Sequence, residues 1–345
     1  MRASILGKYI STVLVLVFMS SLVSAQTTEQ RKAEYDDKMA QLKELTVKMS
    51  AQGITADEYD KMKQQYDALQ VEIKKLNDLL MADKDFADRM NSAKLAYNEG
   101  NTKFKQGQFE AALQAYEKAL SFDAGNADYY YGKGLTLTRL RKYNEALQAY
   151  FKAAELEPTN FTVWAAIGKA YFDQANYKES IKAYEKAVEI NPQRQTNVYN
   201  LANSYSKAND SKNAIKYFTM ATQIKPDYYQ AYNALGEEYA NQGKYENAIQ
   251  AFEMAVSLKE DFEEGWYRLA AVHNKAGNHS EALKAAQEAL KIGRKFKGAG
   301  NFEAGFASKK LGNKEQALKY FEAAATDRNW RNNAQYEIDL LKKGQ

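Results

Sequence analysis

Cysteine is absent from this chain, and the 345 residues include only three prolines and two histidines. Without thiols there is no disulfide, no thiolate nucleophile and no cysteine-held metal. Attachment of lipid through a cysteine is excluded as well. Scarce proline leaves room for long uninterrupted helices. Charge of one sign is also lacking, because the formal net charge is only +4. That is too little to point to nucleic acid. Aromatic residues, in contrast, reach 12%, and 25 of them are tyrosines. A disordered chain does not have that composition.

The one long apolar run is at the start, MRASILGKYISTVLVLVFMSSLVSAQTT. Arg2 and Lys8 precede an apolar stretch from about Ile10 to Leu22, and Val23-Ser24-Ala25 supply small residues. This is the layout of a secretory signal, with cleavage expected after Ala25. The competing reading is a retained membrane anchor. The run is short for a span of about 20 residues and is broken by Ser20 and Ser21. Removing Arg2 and Lys8 from +4 leaves +2 for the mature chain. The expectation is an exported protein, periplasmic or secreted, with no integral membrane span after cleavage.

The three prolines, Pro158, Pro192 and Pro226, are 34 residues apart. Other registers keep the same step. Ala119, Ala153, Ala187, Ala221, Ala255 and Ala289 form one. Gly100, Gly134, Gly168, Ala202, Gly236 and Ala270 form a second, and Tyr116, Tyr150, Tyr184, Phe218 and Phe252 a third. A seventh repeat follows with a one-residue slip, through Gly305, Ala317, Phe321 and Ala324. Within each repeat, apolar residues recur at helical spacing in two stretches. FTVWAAIGKAYFDQAN and YKESIKAYEKAVEIN are an example. Small residues let the two helices approach, the aromatics fill the space between, and proline stops the second helix.

WAAIGKAYF (164–172), YNALGEEYA (232–240) and NEALQAYFKAAELEP (144–158) carry the period's most specific residues. They resemble the tetratricopeptide repeat family, whose fingerprint is W-x2-L-G-x2-Y followed by A, F, A and P. The resemblance covers residues 93–331. It implies an all-α fold: a right-handed superhelical solenoid of seven helix pairs, with residues 332–345 as a cap helix and tail. In NAQYEIDLLKK (333–343), Tyr336, Ile338 and Leu341 are expected to pack on the seventh repeat.

Residues 26–92 lack the period. Tyr59, Met62, Tyr66, Leu69, Ile73, Leu76 and Leu80 alternate gaps of 3 and 4, a heptad seam. Thr55 with Glu58 is a capping box that opens this helix. The segment is expected to be a helical hairpin turning near residues 51–55. The alternative is a coiled coil between chains, giving a homo-oligomer through residues 56–82.

No catalytic constellation is visible, so no enzyme, cofactor or metal is expected. His273 and His279 occupy slots held by tyrosine in neighbouring repeats. KGAGNFEAG (297–305) lacks a preceding strand and a following lysine–serine, so it is read as a loosened connection and not a phosphate loop. The family resemblance implies a concave face lined by the first helix of each pair. Its lining positions hold Tyr97, Asn101, Tyr131, Lys169, Tyr199, Asn203, Asn233, Glu237, Tyr267 and Asn274. Tyrosine offers rigid contact area, and asparagine pairs with backbone amides. Some family members clamp a chain-terminal carboxylate with lysine, arginine and asparagine. Asn203 and Arg268 fit that pattern, but Tyr199, Ala234 and Glu264 depart from it. The expected function is a non-catalytic scaffold of the cell envelope holding a protein or peptide in its groove. The alternative is a structural oligomer built through the coiled coil and the repeat ends.

Overall fold

The computed structural model describes residues 26–51, 53–293 and 295–343, so the expected signal lies outside the described residues. Seventeen helices and no strand form among them. The chain divides into two compact units, residues up to Ala170 and residues from Tyr171. The first contains α1 (Thr28–Met49), α2 (Ala56–Met81), α3 (Lys84–Lys105), α4 (Phe109–Phe122), α5 (Ala127–Arg139), α6 (Tyr143–Leu156) and the start of α7 (Phe161–Asp173). The second contains α8 (Tyr177–Ile190), α9 (Gln195–Lys207), α10 (Ser211–Ile224), α11 (Tyr229–Asn241), α12 (Tyr245–Leu258), α13 (Glu263–Ala276), α14 (His279–Ile292), α15 (Lys297–Lys310), α16 (Lys314–Ala325) and α17 (Arg331–Lys343).

Consecutive helices pack as pairs: α3 with α4 and α5 with α6 in the first unit. In the second the pairs are α9 with α10, α11 with α12, α13 with α14, and α15 with α16. Five of these six pairs close on one aromatic ring, and in α13–α14 Ala286 takes its place. Tyr116, Tyr150, Phe218, Phe252 and Phe321 are all fully buried. The glycine slot exists for these rings. A Cβ at Gly134 would stand 2.5 Å from the Tyr150 ring, and one at Gly236 would stand 2.8 Å from Phe252. Pro158, Pro192 and Pro226 each fall just past the end of a second helix, α6, α8 and α10.

The turn inside each pair has a second device. Gly107, Arg141, Ala175, Asn209, Gly243, Gly277 and Gly312 are all left-handed, with φ between 57° and 84°. The residue after each donates its N–H to a carbonyl five positions back, as in Lys142 to Leu137, Asp210 to Tyr205 and Lys244 to Tyr239, at 2.9–3.0 Å. This is the Schellman closure of a helix C-terminus.

α1 and α2 form an antiparallel hairpin. α1 packs along α2, and the Thr28 hydroxyl at its start donates to Asp83, just past the end of α2 (2.6 Å). The Thr55–Glu58 capping box is present, and a second one, Thr27 with Gln30, opens α1. Along the α2 seam, burial deepens toward the repeats. Tyr59 is 43% exposed, whereas Leu76 and Leu80 are buried. Lys43 of α1 donates to the Glu155 carbonyl at the end of α6 (3.2 Å), so the hairpin touches the second repeat's outgoing turn.

Three features differ from the sequence reading. α3 begins at Lys84, before the first repeat's expected start at Ala93, with Asp83 capping the Phe86 N–H (3.0 Å). The glycine-rich residues 297–305 are not a loosened connection. They form most of α15, where Gly300 and Gly305 seat closely on Leu290 and Phe321. Tyr336 does not pack on the seventh repeat; it is 64% exposed, while Ala334, Ile338 and Leu341 are buried. Those three share one stripe of α17, and Tyr336 lies two residues from Ile338, on the opposite side of the helix.

Candidate interaction site

In the first unit, Tyr97 and Tyr131 are half-buried and used for packing on one side. Tyr97 lies 5.8 Å from Tyr116 and 5.0 Å from Tyr129 of the next repeat. Tyr131 lies 5.9 Å from Tyr150. Asn101 accepts the Tyr116 hydroxyl through Oδ1 (2.7 Å). Burial raises the Tyr116 phenol to about 12, so it stays a donor at every ordinary pH. Lys169 is exposed on α7.

In the second unit, the candidates on α9, α11 and α13 come together. Tyr199 is half-buried, with its ring 5.5 Å from Phe218 and 5.1 Å from Tyr228, and is hydrogen-bonded to Asn203. Asn233 Nδ2 donates to Glu237 Oε1 (3.0 Å). Glu237 Oε1 also lies 3.1 Å from Nη2 of Arg268, whose Nε and Nη2 reach Glu264 Oε1 at 3.0 and 2.9 Å. Tyr267 stacks on Phe296 at 4.8 Å and carries the Arg268 guanidinium over its ring. A cavity of about 150 Å³ opens among Glu237, Tyr267, Arg268, Phe252 and Val272.

The electrostatics follow from this placement. Burial pushes the Glu237 carboxyl up, against the pull of Arg268. Burial also raises the phenols of Tyr199 and Tyr267, and the carboxylates of Glu237 and Glu264 add to both shifts. Asn274 is placed differently, buried between α13 and α15. Its Nδ2 donates to the Glu303 backbone (3.0 Å) and carboxylate (2.8 Å), and Oδ1 meets His279 Nδ1 (3.1 Å). Arg268 and Glu264 were noticed in the sequence only at the positions of a carboxylate clamp, not as an ion pair. They enter the site because α13 sets them beside Glu237 of α11, a proximity between repeats that sequence spacing alone does not display.

The repeats match family models for "TPR repeat" over residues 100–140 and "Tetratricopeptide repeat" over 127–160, 161–194, 197–228 and 229–262. This is a tetratricopeptide repeat protein. Solved structures of such proteins share its fold. The C-terminal part of a TPR repeat-containing protein from Cytophaga hutchinsonii superposes with a TM-score of 0.60 at 15% identity, covering 69% of this chain and 97% of that one. A tetratricopeptide repeat protein from Parabacteroides merdae gives 0.53 at 15% identity, covering 73% and 99%. No curated protein matches the sequence. Tetratricopeptide repeats make this chain a protein–protein interaction scaffold in the general sense. No helix among its described residues is long and apolar enough to cross a membrane.

Proposed function

We propose that this tetratricopeptide repeat protein is a non-catalytic adaptor of the cell envelope that holds an extended segment of a protein partner along its first helices. The observation that carries the reading is the α9–α11–α13 face. Half-buried tyrosines, Tyr199 and Tyr267, flank polar side chains on three successive first helices, beside a cavity the size of one side chain. Rigid aromatic area beside amide and carboxylate groups suits a peptide backbone and its side chains. Within the first unit, Tyr97, Asn101, Tyr131 and Lys169 are of similar chemistry, while in the second unit Asn274 supports the surface from beneath. Export through the N-terminal signal places the adaptor outside the cytoplasm.

The test is affinity capture from native envelope extract. The protein is compared with a Tyr199→Ala, Asn203→Ala variant that keeps its helical circular dichroism. A partner recovered by the first and lost by the second supports the groove. Equal recovery by both moves the function elsewhere on the molecule. An intact mass that includes residues 1–25 after expression in a secreting host would sink the cleaved-signal part.

A second reading has its own observation. The distal seam of α2, at Tyr59, Met62 and Tyr66, is exposed or half-exposed and free to meet a second chain. A structural oligomer through residues 56–82 then shows a concentration-dependent mass in sedimentation, abolished by Met62→Glu. A monomer at all concentrations removes it.

A further inference from the structure

We propose that α1 is a strap that closes on the outgoing turns of the first two repeats, turning about the joint at Ala82 and Asp83. α1 runs past both turns without packing fully on either. Between them lies a cleft in two parts, about 820 Å³ at the α4–α5 turn and about 420 Å³ at the α6–α7 turn. Met39 and Lys43 of α1 line both parts, as do Leu156 and Glu157 of the second repeat. A packed interior holds few voids larger than a water molecule, so this interface is not closed.

The two walls match. α1 offers Tyr35, Met39 and Leu42 along one stripe, and the repeats offer Phe122, Leu156 and Phe161. All six are only half-buried. Closing takes their apolar surface out of water, which favours it. Closing also strips water from Asp36 of α1 and from Asp123 and Glu157 of the turns, which opposes it. Opposed effects of this kind leave an open and a closed arrangement near each other in free energy.

The bonds are placed for a hinge. At the base, three helix ends meet at Asp83. Its carboxylate accepts the Thr28 hydroxyl at the start of α1 (2.6 Å) and the Phe86 N–H at the start of α3 (3.0 Å), and α2 ends two residues before it. Beyond the base, among the described residues, one hydrogen bond and no ion pair join α1 or α2 to residues 109–161. It runs from Lys43 to the Glu155 carbonyl (3.2 Å). Lys43 lies about 22 Å along α1 from Thr28, where a small turn at the base becomes a large displacement. Once closed, α1 spans two successive turns and fixes the first repeat against the second.

The chain has no cysteine, so Lys48→Cys and Lys152→Cys, both exposed and outside the cleft, place two nitroxide labels and no others. Double electron–electron resonance is expected to show two distances. Sucrose, which is excluded from protein surface, should raise the share of the shorter one. Lys43→Ala should lower that share about threefold, the weight of one exposed hydrogen bond. Met39→Ser with Leu42→Ser should lower it as well. Every variant is checked for unchanged helical circular dichroism, and the sucrose series needs no change in the cleft. One distance in every condition overturns the strap. Two distances whose shares ignore both Lys43→Ala and the serine pair overturn its assignment to this cleft.

Discussion

Single residues set the period. One ring fills each helix pair except α13–α14, where Ala286 stands instead, and one small residue makes room for it. Gly236→Ala would press a methyl group against Phe252. Overpacking of this kind costs about 1–3 kcal/mol, to be read as a lowered midpoint in urea. The turn residues predict the opposite sign. Ala175 is exposed and left-handed, with φ 57°, where a Cβ is strained. Ala175→Gly should stabilise the protein by up to about 1 kcal/mol, and Gly243→Ala, at φ 71°, should destabilise it by a similar amount. His273 predicts a pH effect. It is buried, its Nδ1 has no partner, and desolvation lowers its pKa below 6.5 against the pull of Glu253 and Glu281. The folded state thus favours the neutral ring. Its contribution is complete above the unfolded value and is lost as pH falls through 6.5 toward the folded one. Thermal melts should show that loss, and His273→Tyr, the residue type at 171, 205 and 239, should remove it.

Elements show what the sequence displayed and what it hid. The helix pairs were legible because small and aromatic residues recur in fixed registers, and the Thr55–Glu58 capping box because its residue types are specific. The left-handed turn was only half legible: four of its seven residues are glycine, but Arg141, Ala175 and Asn209 carry no such mark. α15 was misread because its glycines look like a loop when their packing partners are unseen. α17 shows how helix phase decides burial. Ile338→Ala should cost about 2–5 kcal/mol, whereas Tyr336→Ala should stay within about 0.5 kcal/mol. Equal losses in denaturant melts would contradict the packing described for α17. At the candidate site, the tyrosines and asparagines were expected from the lining positions that the family resemblance implies. The Glu237–Arg268 contact was not, because it joins side chains 31 residues apart in sequence.

At the scale of the whole molecule, repeats interact chiefly with their neighbours. Stability is then close to a sum of repeat and interface contributions. Deleting residues 229–262, one full period, should leave a helical protein that still unfolds cooperatively, at a lower temperature. Deleting half that length should put aromatic and small residues out of step and abolish cooperative melting in circular dichroism. The same deletion removes Asn233 and Glu237, so peptide binding should be lost even where the fold survives.

The left-handed turn residues at 141, 175, 209 and 243 recur at one fixed interval. Each ring is matched by a small residue of its own repeat, so the interval matters and the starting point does not. Within the regular repeats, a gene encoding this chain can gain or lose a run of 34 codons, wherever the breakpoints fall, and still specify joined, complete helix pairs. Recombination between neighbouring copies therefore yields arrays of new length without first passing through a misfolded product. The reach of the binding surface can be inherited in whole steps.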